Sequence, residues 1–182
     1  MTRVVHHHSE ILVAIAKSLP FRNLYIELGI HEGVTHKRVS NLFEHSIGVD
    51  VDDRRGCCKE FFHGKTDAFF ESHRVKELDG KSDLIFIDAD HNSEQVSRDF
   101  TNCLELVKPV SGLIILHDTY PEDEGWLADD QCKDAWRAAS HISNDSKYYE
   151  VEVVTLPVCH GLTICRKLPR GLPYLHWLEE KR

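Results

Sequence analysis

The sequence predicts a single α/β domain, a mainly parallel sheet with helices on both faces and an antiparallel hairpin at its end. Three observations predict it. Between Tyr25 and Asp53 an apolar strand breaks into a glycine-containing turn, an amphipathic stretch follows, and a second apolar strand ends on an acid. Further on, short apolar runs alternate with segments of helical periodicity, with no linker or repeat between them, as in strands covered on both faces by crossover helices. The last two β-type runs, Tyr149 to Leu156 and Gly161 to Arg166, are joined by about four residues including Pro157. That is too short for a parallel crossover, so the two must pair antiparallel.

Each element has its own warrant. A first helix is expected from about Ser9 to Ser18, with Ser9 as N-cap, Ile11, Leu12, Ile15, Ala16 and Leu19 on one face, and Pro20 as its stop. Strand one is Leu24 to Leu28. A helix near Thr35 to Glu44 buries Val39, Leu42 and Phe43, and strand two is Ser46 to Asp50. The stretch from Asp52 to Glu60 is too short and charged for a full crossover helix. Strand three is Glu60 to His63, followed by Gly64 and a helix from Thr66 to about Lys76. Strand four, Asp83 to Asp88, is apolar between its acids, as a doubly covered strand should be. The next helix opens on a capping-box-like Asn92-x-x-Gln95, repeats Val96, Phe100, Cys103, Leu104 and Val107 at helical spacing, and ends at Lys108-Pro109. Strand five is Gly112 to His117, and after an acidic loop a helix is expected around Gln131 to Ile142.

Composition fits one domain of 182 residues, of which 41% are hydrophobic, enough to fill its core. No run approaches the roughly 18 apolar residues of a membrane span, and the amino-terminal stretch lacks the apolar segment of a signal peptide, so the expected compartment is the cytoplasm. The His6-His7-His8 run reads as a frayed terminus. A formal net charge of −8 disfavours nucleic acid as partner, since phosphate-backbone binders cluster Lys and Arg. None of the six cysteines forms a C-x-x-C pair, which suggests reduced, mostly buried thiols; Cys159, His160 and Cys165 fall short of a complete zinc set.

Ligands of open parallel sheets sit at the carboxyl ends of the strands. The turn there reads Glu27-Leu28-Gly29-Ile30-His31-Glu32-Gly33-Val34-Thr35, and Asp50 lies 21 residues after Gly29, where a carboxylate can accept ribose hydroxyls. A dinucleotide fingerprint would place a glycine at His31; a pyrophosphate would meet a Cβ there and the acid Glu32 beside it. A cofactor with a cationic amino-acid end tolerates those acids and could use Glu27. The pattern E-x-G-x-x-x-G-x-T resembles the first motif of class I S-adenosylmethionine-dependent methyltransferases, in the variety lacking the middle glycine. The runs D-L-I-F-I-D-A-D-H-N and G-L-I-I-L-H-D-T, with the long helix ending in K-P between them, are similar to a branch of small-molecule O-methyltransferases. The resemblance covers about residues 22 to 168 and implies a Rossmann-like methyltransferase fold with strand order 3-2-1-4-5-7-6. It also implies a cofactor site of Glu27, Gly29, His31, Gly33, Thr35, Asp50, Thr66 and Asp88. Departures are His31, Lys65 where an acid often stands, and the short second crossover.

Adjacent strands lie about 4.8 Å apart, so Asp88, closing strand four, and His117-Asp118, closing strand five, can converge. Two carboxylates and an imidazole suit a divalent ion, Mg²⁺ or Mn²⁺, with histidine leaning toward Mn²⁺, Fe²⁺ or Zn²⁺. His91, or Asp90 beside it, is expected as the base that takes a proton from the acceptor hydroxyl. His36, His63, His73, His141 and His176 are expected to be solvated. Tyr120 and Trp126, in the acidic loop Thr119 to Asp130, could wall the acceptor. The aromatic tail from Pro169, with Tyr174, Leu175, Trp177 and Leu178, either packs back or meets another subunit as a homo-oligomer contact. The function expected is S-adenosylmethionine-dependent methyl transfer to a hydroxyl of a small molecule with metal assistance. The alternatives are a regulatory protein that binds S-adenosylmethionine without turnover, and an NAD-dependent oxidoreductase, which His31 and Glu32 disfavour.

Overall fold

A computed structural model describes residues 7–129, 131–148 and 150–168, so the expected aromatic tail lies outside the described residues. Seven strands form one sheet in the order β3-β2-β1-β4-β5-β7-β6. They are β1 (Leu24–Leu28), β2 (His45–Asp50), β3 (Glu60–His63), β4 (Leu84–Ile87), β5 (Leu113–His117), β6 (Val151–Leu156) and β7 (Leu162–Lys167). The first five pair in parallel, and β7 pairs antiparallel with both β5 and β6. The expected hairpin and strand order are both present.

The period-two alternation of each strand feeds two cores. Ile26, Leu28, Ile85, Ile87, Ile114 and Leu116 pack with Phe69 of α3 (Thr66–Glu71), Phe100 and Cys103 of α5 (Ser93–Leu106), and Ala138 and Ile142 of α6 (Ala135–Asn144). On the other face Tyr25, Leu84, Phe86 and Ile115 meet Leu12 and Ala16 of α1 (His8–Ser18) and Val39 of α2 (Val34–Ser40). With both faces covered, the strand ends are left as the place where polar side chains converge.

Helix boundaries differ from expectation where a side chain or a tertiary contact intervenes. The N-cap of α1 is His7, whose ring accepts from the Ser9 amide. The α2 helix stops at Ser40, where the amides of Leu42 and Phe43 tighten onto the carbonyls of Val39 and Ser40 and the Asn41 side chain donates to the freed Lys37 carbonyl. The helix expected from Thr66 to Lys76 breaks at Ser72, which is extended, into α3 and α4 (His73–Lys76). Residues 131–134 are drawn into the site, so α6 begins at Ala135. His36 is fully buried, not solvated. Among the described residues no helix is long and apolar enough to cross a membrane, and the cysteines form no disulfide.

Candidate active site

The turn after β1 is built so that two strand ends can touch. Gly29 has φ +87°, and a Cβ there would lie 2.1 Å from the Asp88 carbonyl oxygen, so only glycine fits. His31 takes φ 48°, the left-handed conformation open to it without a glycine. The loop is held from β2: Asp50 Oδ2 accepts the amides of Ile30 at 2.7 Å and His31 at 2.9 Å, and Oδ1 accepts that of Asp52 at 2.8 Å. Asp50 therefore shapes the turn as well as facing the ligand space. Gly33, at φ +76°, caps α2.

Beneath the loop, Glu27 is buried and accepts from Tyr25 Oη at 2.6 Å, with His36 Nδ1 at 3.0 Å. Burial pushes its carboxyl up against the pull of His36 and Tyr25. Neither partner was legible as such in the sequence.

Two adjoining cavities, about 590 and 520 Å³, open over the strand ends and share Gly29, Asp50, Val51, Ala89 and His91. The larger is lined further by Gly64, Thr66, Asp90 and Gln95, the smaller by Glu27, His31, Thr35, Asp88, His117 and Asp118. Every residue expected at the cofactor or metal site except Gly33 thus borders one or both of these cavities. Tyr120 and Trp126 do not. Tyr120 is exposed and Trp126 packs tilted against His160, with ring centroids 3.8 Å apart, whereas Asp129 and Lys133 line the larger cavity.

At the ends of β4 and β5, Asp88, His117 and Asp118 offer ligand atoms within 4.8 Å of one another, the one such group among the described residues. His117 Nδ1 lies 3.1 Å from Asp88 Oδ1 and 3.4 Å from Asp118 Oδ2. His91 Nε2 approaches the same oxygens, at 3.6 Å and 3.2 Å. Asp118 takes φ 57°, which turns its side chain into the cluster. Burial opposes charge on all four groups, yet mutual attraction outweighs it. Asp88 and Asp118 are held below the usual carboxylate range by His117 and His91, His117 is raised well above the usual imidazole value by the two acids, and His91 is raised to about 9 by its bonds to Asp88, Asp118 and Gln131. Two imidazolium protons thus sit between two carboxylates, where a divalent cation would sit.

Sequence reasoning missed three contributors. His8 packs its ring on His117 at 4.2 Å and bonds Thr35 Oγ1 through Nε2 at 2.8 Å; burial and the charge of His117 lower its pKa to about 4. Far from fraying, it roofs the cluster. Gln131 offers its carbonyl to His91 Nδ1, and Cys132 Sγ donates to Asp118 Oδ1 at 3.3 Å. Asp134 meanwhile accepts from the amide and hydroxyl of Ser93, which fastens this segment to the start of α5. Asp90 is exposed and accepts from the Asn92 amide at 2.8 Å.

Comparison with known proteins fits this geometry. No curated protein matches by sequence. Among solved structures, the chain is similar to an O-methyltransferase from Bacillus cereus in complex with S-adenosylhomocysteine, with 14% identity over 91% of this chain and 82% of that one and a TM-score of 0.65. It is similar to the O-methyltransferase TomG of Streptomyces achromogenes, involved in tomaymycin synthesis and in complex with S-adenosylmethionine, with 15% identity over 92% and 82% and a TM-score of 0.59. It also resembles the MycE methyltransferase of the mycinamycin pathway in complex with Mg and S-adenosylhomocysteine, with 15% identity over 94% and 54% and a TM-score of 0.61. The profile described as "methyltransferase domain" matches residues 26–119, from β1 through the β5 end that carries His117 and Asp118. The chain therefore belongs to the methyltransferase domain family, with the Rossmann-like fold of class I S-adenosylmethionine-dependent methyltransferases.

Proposed function

We propose that this protein transfers the methyl group of S-adenosylmethionine to a hydroxyl oxygen of a small molecule, with a divalent ion at Asp88, His117 and Asp118. The observation that carries this reading is the meeting, across one cavity, of a glycine turn braced by Asp50 with an acid–imidazole cluster at the next two strand ends. The cluster fits an ion. Its donors are two carboxylate oxygens and an imidazole nitrogen, all within 4.8 Å, and their electrostatics already hold positive charge between the acids. Solved relatives of similar fold carry S-adenosylhomocysteine, S-adenosylmethionine and Mg.

S-adenosylmethionine supplies a methyl on a sulfonium, so the protein's task is alignment and proton removal. Asp50, at the boundary of the two cavities, is placed for the ribose, with Gly64 to Thr66 and Ala89 on one side for the base and Gly29, His31 and Thr35 on the other for the amino-acid end. A divalent ion at the cluster would lower the pKa of a bound hydroxyl. His91 is not free to take that proton while its Nδ1 faces the Gln131 carbonyl and its Nε2 faces Asp88 and Asp118. Asp90, exposed at the cavity mouth, is the group placed to pass the proton to water. We place the protein in the cytoplasm, as its cysteines without disulfides suit a reducing compartment.

Calorimetry should detect binding of S-adenosylmethionine and none of NAD. A screen of phenols, catechols and sugars with divalent metal should release S-adenosylhomocysteine. Binding of NAD with no binding of S-adenosylmethionine would overturn the reading, and cofactor binding without turnover on any acceptor would make the protein a binder.

A further inference from the structure

We infer that His91 is itself a ligand of the divalent ion, and that the resulting set of two histidines and two carboxylates selects a borderline transition-metal ion over Mg²⁺. This rests on the reading that an ion occupies the Asp88–His117–Asp118 cluster.

The argument begins with the ring's two nitrogens. His91 Nδ1 faces the carbonyl oxygen of Gln131, which can only accept a hydrogen bond, so Nδ1 carries the hydrogen. The nitrogen that can give up its proton is therefore Nε2, and it points at Asp118 Oδ2 at 3.2 Å and Asp88 Oδ1 at 3.6 Å. A divalent ion that displaces this proton would meet the Nε2 lone pair and both carboxylates together. His117 Nδ1 approaches the same two oxygens, at 3.4 Å and 3.1 Å, so both imidazoles face one pair of acids.

A hydrogen bond from the far nitrogen of a ring to a backbone carbonyl is also the usual support of a metal-binding histidine, since it fixes the tautomer and orientation. Here the support is itself anchored. Next to Gln131, Cys132 Sγ donates to Asp118, and Asp134 accepts from the amide of Ser93, the first residue of the helix that starts two residues beyond His91. Mg²⁺ prefers oxygen ligands and keeps its waters, whereas imidazole suits Mn²⁺, Fe²⁺, Co²⁺ and Zn²⁺, so two imidazoles among four protein donors move the preference to the latter.

The test titrates Co²⁺ and Mg²⁺ into metal-free wild type, His91→Ala and His91→Cys, following the visible absorption of bound Co²⁺ and the heat of binding. Wild type should bind Co²⁺ at least about tenfold more tightly than Mg²⁺, and His91→Ala should weaken Co²⁺ by about 10–100-fold while changing Mg²⁺ little. His91→Cys guards against a folding defect, because a sulfur–cobalt charge-transfer band in the near ultraviolet places residue 91 on the ion directly. An unchanged Co²⁺ spectrum and affinity in His91→Ala, with no such band in His91→Cys, would overturn the inference and return His91 to proton transfer. Absence of any ion binding by folded wild type would instead overturn the metal reading beneath it.

Discussion

Replacing Asp99 by asparagine should stabilise the protein at neutral pH and leave it almost unchanged in acid. Asp99 lies on α5, fully buried; Gln95 Nε2 donates to its Oδ1 at 2.9 Å, and its Oδ2 has no partner. Burial raises its carboxyl from 3.8 to about 6, outweighing the hydrogen bonds that favour the charged form. A folded-state pKa above the unfolded value means that the folded protein holds the proton more tightly. The stability this provides is fully present below about 3.8 and is lost as pH rises through about 6. That interval corresponds to about 3 kcal/mol, an upper bound on the penalty of keeping the ionised acid buried at pH 7.5. Asparagine is neutral at every pH and keeps an oxygen for Gln95, so it should recover about 1–3 kcal/mol. For a chain of this length each 1 kcal/mol moves Tm by about 2–4 °C, so Asp99→Asn should melt roughly 2–12 °C higher at pH 7.5. At pH 4 it should melt within about 2 °C of wild type. Thermal unfolding of both proteins by circular dichroism from pH 4 to 8 measures this. A gain independent of pH, or none at pH 7.5, would refute the attribution to a buried ionised carboxylate.

Three further outcomes are expected. Asp50→Ala should lose about 2–3 kcal/mol of stability in urea unfolding, because three backbone amides lose a charged acceptor, and calorimetry should show weaker S-adenosylmethionine binding. Stability equal to wild type would mean that the turn holds itself. Gly29→Ala should cost more than about 3 kcal/mol or abolish soluble expression, since its Cβ would collide with the backbone of Asp88 and Ala89; a well-folded variant would contradict the close approach of β1 and β4. Metal-free protein should lose stability as pH rises from about 6.5 through about 9, where the raised His91 pKa withdraws its proton from between the acids, and a saturating divalent ion should flatten that fall. Parallel melting curves with and without metal over this range would show that the cluster does not couple to folding.

Strands and their ends were readable because burial on both faces leaves continuous apolar runs, and the acids that stop those runs mark where a sheet opens to ligand. That is why Asp50, Asp88, His117 and Asp118 could be named from sequence alone. What escaped reading depends on tertiary contact. His8 acts through His117 and Thr35, far along the chain, and its neighbours in sequence give no sign of it. Gln131 contributes a backbone carbonyl, which every residue has. The start of α6 was misplaced because residues 131–134 have better partners in the site than in a helix. His36 was misassigned because its partner Glu27 is hidden inside the sheet, where only packing shows that a polar pair is needed.

The segment that walls the site is moored at both ends. At one end the amides of Thr119 and Tyr120 bond to the turn before β7, and the Thr119 hydroxyl bonds to Thr163; at the other lie Gln131, Cys132 and Asp134. Between these moorings Trp126 is tied as well, its ring against His160 and its carbonyl accepting the Cys132 amide. The interval from Pro121 to Asp129 therefore acts as a strut between the corner of β5 and β7 and the wall of the larger cavity, which Asp129 reaches. Shortening or rebuilding it would be felt at His91 and Asp118 through Gln131 and Cys132, so a change far along the loop can retune the cluster without touching any of its side chains.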